Sequence, residues 1–206
     1  MQNNSTTAKK SKTDFLGFGN NSLLSELLIM VVFCAAGVFC KKLINPLANA
    51  ITDSLHVPGG ISTAVSLMFL VIAAGITKRR WSASAMGLMQ ASVALAMGSM
   101  GSMGFLLPVS YIVPGVVIDI VMLAGEKIHF SMRVRAFIAN ILSSVSAALF
   151  ADIVVFHLPA KPLMVYLCLA TLTGSICGYL AGSVISLIEN RKNKNADGNN
   201  EDKTEY

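Results

Sequence analysis

Six apolar runs follow one another along this chain, at residues 23–44, 61–77, 82–100, 105–124, 134–158 and 162–188. A helix rises about 1.5 Å per residue, so crossing a hydrocarbon core of about 30 Å takes about 20 apolar residues. Inside lipid, a helix is the one element that satisfies its own backbone hydrogen bonds within a single segment. The runs therefore predict an all-α integral membrane protein, a six-transmembrane-helix bundle spanning residues 23–188. Composition points the same way: 54% of residues are hydrophobic and 13% are charged, against about 25% charged in a soluble domain.

Charge placement predicts the orientation. Lys9, Lys10 and Lys12 precede the first run. Lys78, Arg79 and Arg80 follow the second, Lys127, Arg133 and Arg135 the fourth, and Arg191, Lys192, Lys194 and Lys203 the sixth. The opposite side holds Lys41, Lys42 and Lys161. The positive-inside rule puts the larger group, and with it both termini, in the cytoplasm. Lys41-Lys42 is the exception, facing outward or snorkelling at the end of the first span. The net charge of +5 is thus a mark of topology rather than of nucleic-acid binding. Residues 1–22 and 189–206 are polar and are expected to be disordered cytoplasmic tails; no cleavable signal peptide is evident. The link 43–60 is too polar to span and too apolar for an ordinary loop. It reads as an interfacial helix, a re-entrant lid or an ordered connector.

Several polar and small residues interrupt the apolar pattern. Met97–Leu123 contains four glycines, two prolines and Asp119, which a passive anchor does not need, because an ionisable group at the bilayer centre costs about 2.5 to 3.5 kcal/mol on insertion scales. Asp119 falls toward the cytoplasmic end of its span, near Lys127, Arg133 and Arg135, and is read as their structural charge partner or as a coupling contact. Gly174, Gly178 and Gly182 recur every fourth residue, as do Gln90, Ala94 and Gly98, and small residues on one face let membrane helices approach closely. Asn140, Ser144, Ala147 and Ala151 form a comparable face on the fifth span.

The other group collects on the extracellular side: Asn49, Asp53 and His56 in the first link, Met100 in the Gly-Ser-Met loop, Ser110 and Tyr111 on the fourth span, Asp152 on the fifth and Tyr166 on the sixth. A carboxylate pairs with a cation and a tyrosine face stacks on a ring or holds a cation, so this composition suits a small polar or cationic organic ligand. Enzyme chemistry is not indicated. The chain has no GxxxxGK[ST] phosphate loop and no HExxH motif. Cys34, Cys40, Cys168 and Cys177 form no CxxC pair and read as buried small hydrophobes, and the methionines read as packing rather than as a metal site. No cofactor is implied.

The run Leu107-Pro108-Val109-Ser110-Tyr111-Ile112-Val113-Pro114-Gly115 with Asp119, the Pro58-Gly59-Gly60 entry to the second span, six spans and cytoplasmic termini together resemble the membrane-embedded, substrate-binding S components of energy-coupling-factor (ECF) transporters. The resemblance covers about Leu23 to Ile188 and is nearest to the hydroxymethylpyrimidine and thiamine branch. It implies an ABC-type importer subunit in the plasma membrane of a prokaryote, binding a vitamin or vitamin precursor near the extracellular face. It also implies a separate transmembrane coupling protein and two ATPase subunits. In that family small residues on the first helix contact the coupling protein through an Ala-x-x-x-Ala pattern, and the nearest match here is Ala36-x-x-x-Cys40. Two readings from other classes stand beside it: an ion-coupled carrier or channel, for which an inverted repeat would speak although none is apparent, and a structural subunit of a larger membrane complex.

Overall fold

The structure, a computed structural model, describes residues 22–54, 61–98, 101–155, 157 and 159–201. All regular structure in them is helical: α1 (Ser22–Ser54), α2 (Ile61–Thr77), α3 (Ser82–Ala96), a 3₁₀ segment (Gly101–Leu106), α4 (Leu107–Lys127), α5 (Met132–Leu149), a π-helical turn (Phe150–Val155) and α6 (Ala160–Glu201). Four stretches are long and apolar enough to cross a bilayer, namely Glu26–Leu47, Gly104–Lys127, Met132–Val155 and Ala160–Arg191. With 17 and 15 residues, α2 and α3 are shorter.

α2 is the centre of the bundle. Leu70, Val71, Ile72, Ala73 and Ala74 are buried in succession, so every face of this helix is covered, as expected of a helix that is apolar all round. Met30 and Cys34 of α1, Met86 of α3, Ile118 of α4, Ala136 and Ala139 of α5 and Ile185 of α6 complete the same core.

Glycines set the register between the outer helices. A Cβ at Gly174 would lie 3.1 Å from Ser144, one at Gly178 2.9 Å from the Phe137 carbonyl, and one at Gly182 3.0 Å from the Arg133 carbonyl. The glycine row of α6 thus runs antiparallel along α5, within the bundle. Asn140 Nδ2 donates to the Gly174 carbonyl at 2.8 Å across the same seam. α3 and α4 meet still more closely: a Cβ at Gly87 would stand 2.6 Å from the Tyr111 carbonyl and one at Gly115 2.7 Å from that of Ala83. Gly98 does not belong to this packing. It has φ +66° with nothing near its Cβ position, and its N–H bonds the Leu95 carbonyl at 3.0 Å, so it ends α3 instead of continuing the Gln90–Ala94 face.

The first link also differs from expectation. α1 does not stop near residue 44 but runs through Pro46 to Ser54, so most of the polar link continues the first helix. Pro46 removes one backbone hydrogen bond inside this helix, yet the helix continues past it. At its other end the chain stays helical in α6 to Glu201, past the expected end of the sixth span.

Most of the basic residues in the described chain gather at one end of the bundle, Lys41, Lys42 and Lys161 being the exceptions. There α2 and α3 are joined by a tight turn in which Lys78 and Trp81 both have positive φ, 50° and 67°, a conformation costing a non-glycine residue about 1 to 2 kcal/mol. Two ion pairs hold the turn to its neighbours, Lys78 with Glu189 of α6 and Arg79 with Glu26 of α1. Both are exposed and contribute little each.

Candidate ligand-binding cavity

Opposite the basic end, all six helices contribute to one cavity of about 160 Å³. Lys41 comes from α1, Ser66 from α2, Gln90 from α3, Ser110 and Tyr111 from α4, Ser144 from α5 and Tyr166 from α6. Ala147 and Ala148 of α5 and Ala151 of the π-helical turn form the adjoining wall. Of the eight residues expected to bind ligand, the structure therefore brings three to the cavity: Ser110, Tyr111 and Tyr166. Asp152 lies just beyond Ala151, on the π-helical turn, 1% exposed. Asn49 and Asp53 fall on the last turns of α1, where side chains lie outside the described residues, as do His56 and Met100 altogether.

The charge lining the cavity is a cation. Lys41 Nζ donates to the Tyr111 hydroxyl at 3.1 Å and sits 4.5 Å from the centroid of that ring. The aromatic face that was expected to receive a cationic ligand is thus already occupied by a lysine. Lys41 therefore turns inward, which corrects the expectation that it faces outward or snorkels. The signal that could have found it was its breach of the charge asymmetry: a lysine on the wrong side of the topology has a local reason to be there.

The polar groups around the cavity are incompletely paired. Gln90 is 1% exposed and accepts a long 3.5 Å bond from Ser66 Oγ, while its Nε2 has no partner. Ser144 Oγ and both carboxylate oxygens of Asp152 are likewise buried without partners. A buried polar atom left unpaired costs about 1 to 3 kcal/mol, so two such side chains on the lining, Gln90 and Ser144, with Asp152 behind Ala151, mark the space as a place for something polar. Ser110 contributes differently: its hydroxyl donates to the Leu107 carbonyl at 2.7 Å and is spent on its own helix.

At the basic end Asp119 takes a structural role, with partners other than the expected basic residues. It is 3% exposed and makes no ion pair with Lys127, Arg133 or Arg135 among the described residues. Instead its Oδ1 accepts from the Ala83 N–H at 3.1 Å and its Oδ2 from the Ser84 N–H at 2.8 Å and the Ser84 hydroxyl. The start of α3 has no side-chain cap of its own, since Trp81 occupies that position. A helix start presents unpaired N–H groups and partial positive charge, and Asp119 supplies the acceptor from a neighbouring helix. Nearness in sequence pointed to the arginines; the packing of α3 on α4 offered a better partner. Arg135 folds over Gly125, whose Cβ would meet its side chain at 2.5 Å. With Lys78, Arg79, Arg80, Glu126 and Asp119 it lines a second cavity of about 300 Å³. Arg133 is exposed.

No set of metal-ligating side chains occurs among the described residues. Compared with protein families, curated proteins and solved structures, the chain matches none.

Proposed function

We propose that this chain is the substrate-binding subunit of an importer of the energy-coupling-factor type, with six spans, both termini in the cytoplasm and the cavity toward the extracellular face of the plasma membrane. The observation that carries this reading is the cavity itself: all six helices converge on it, and it holds unsatisfied polar groups in an otherwise apolar bundle. A protein that served only as a scaffold would close such a space with apolar side chains. The cargo in this reading is a small vitamin or vitamin precursor. A volume of about 160 Å³ compares with the roughly 150 Å³ cavity that accepts benzene, so a single ring of the pyrimidine kind suits the space better than a two-ring vitamin such as thiamine. The chain carries no phosphate-loop motif, so energy comes from two ATPase subunits through a transmembrane coupling protein.

Affinity purification from native membranes tests the proposal. A coupling protein and ATPases are expected to co-purify. Their absence, under conditions in which a known S component retains its own partners, overturns it.

A further inference from the structure

The identity of the unsatisfied atoms says more than their number. Lys41 offers an ammonium with three donors, one of which is spent on the Tyr111 hydroxyl. Gln90 Nε2 adds a donor with no acceptor. One side of the cavity, formed by α1 and α3, therefore asks for an acceptor or an anion. The α5 side asks for the opposite. Asp152 has two acceptor oxygens without a donor, one turn along from Ala148, which packs with Tyr166. Asp152 does not itself line the cavity; it lies behind Ala151, on the helix face of Ser144 and Ala148, which do, so a ligand meets it only across that alanine wall. The carboxylate is carried on a π-helical turn, an irregularity that occurs often at functional sites because it re-aims a side chain.

We infer that the cavity takes a dipolar ligand of single-ring size, its anionic or acceptor group held at Lys41 and Gln90 and its cationic or donor group at Asp152. A monopolar ligand would satisfy one side and leave the other buried and unpaired. For a buried charge that is the costlier outcome, since breaking a buried pair is penalised more than never forming it. The ligand thus completes an ion-pair network that the protein alone leaves open. This inference rests on reading the cavity as a substrate site.

The test is binding to the full-length protein in lipid nanodiscs, by calorimetry, with small ring probes that differ in charge. Para-aminomethylbenzoate and proline are dipolar, benzoate is anionic, benzylamine is cationic and benzyl alcohol is neutral. At least one dipolar probe is expected to bind about tenfold or more tightly than each of the others, as a charge-assisted hydrogen bond of about 1.5 kcal/mol or more requires. Lys41→Met should remove the advantage of that probe over benzylamine, and Asp152→Asn its advantage over benzoate, in proteins whose melting temperature confirms folding. A singly charged or neutral probe that binds as tightly as both dipolar ones overturns the dipolar inference and leaves the cavity reading intact. Failure of every probe to bind the folded protein overturns the cavity reading as well.

Discussion

Asp119 and Asp152 are two buried carboxylates near opposite ends of one bundle, 3% and 1% exposed, and they are treated in opposite ways. Asp119 accepts two backbone N–H groups and a hydroxyl. Asp152 accepts nothing. The first substitutes for a missing cap and holds α3 to α4. The second is a cost that the fold carries without return. Buried polar groups in this helical bundle therefore divide by their partners: a satisfied one belongs to the architecture, and an orphaned one points to something the bundle is built to receive.

Removing Asp119 should do the most damage to the bundle. Asp119→Ala orphans two N–H groups and a hydroxyl, and at about 1 kcal/mol for each lost bond the expected destabilisation is about 3 kcal/mol, read as a shift of the unfolding midpoint in mixed detergent micelles. Next come the two glycines at the same seam. Gly87→Ala and Gly115→Ala place a methyl against a backbone carbonyl that cannot yield, and each should cost about 2 kcal/mol. Gly75→Ala is the internal control, because there the obstacle is the flexible end of Ile185, and thermal unfolding should show a smaller loss. Gly98→Ala meets no neighbour and suffers only from its positive φ, so about 1 kcal/mol is expected. At the bottom stands Asp152→Asn. Taking an unpaired charge out of the interior should leave stability unchanged or slightly raised. A midpoint lowered as far as in Asp119→Ala would erase the contrast between the two acids.

How much of this was legible beforehand depends on the range of the interaction. The helical class was readable because the bilayer fixes the length of an apolar run, and α2 occupies the second run, residues 61–77. The spacing of Gly174, Gly178 and Gly182 announced a close seam, and α5 is what it faces. Ser110, Tyr111 and Tyr166 could be grouped by depth alone, and they share the cavity. What failed required knowing which helices touch. Asp119 was assigned to arginines nearby in sequence, whereas its partners are 35 and 36 residues away. Lys41 and Tyr111, 70 residues apart, could not be paired without the fold. The turn at Lys78–Trp81 carries no glycine to advertise its left-handed residues. Gly98 looked like part of a packing row because a helix-spaced glycine and a helix-ending glycine are the same letter.

The Gly87 and Gly115 contacts also restrict how the cavity can change shape. Each glycine lies against the partner helix's backbone, one on α3 and one on α4, so the two contacts interlock in both directions. Sliding either helix by one residue would bring Leu88 or Val116 to a position that has no room for a side chain. The α3–α4 pair consequently behaves as a fixed frame, further pinned by Asp119. α1, by contrast, buries only 11% of its spanning stretch, yet it carries Lys41. The wall with the weakest hold on the bundle is the one that brings the positive charge, so a displacement of α1 that widened the cavity would also withdraw that charge from its contents.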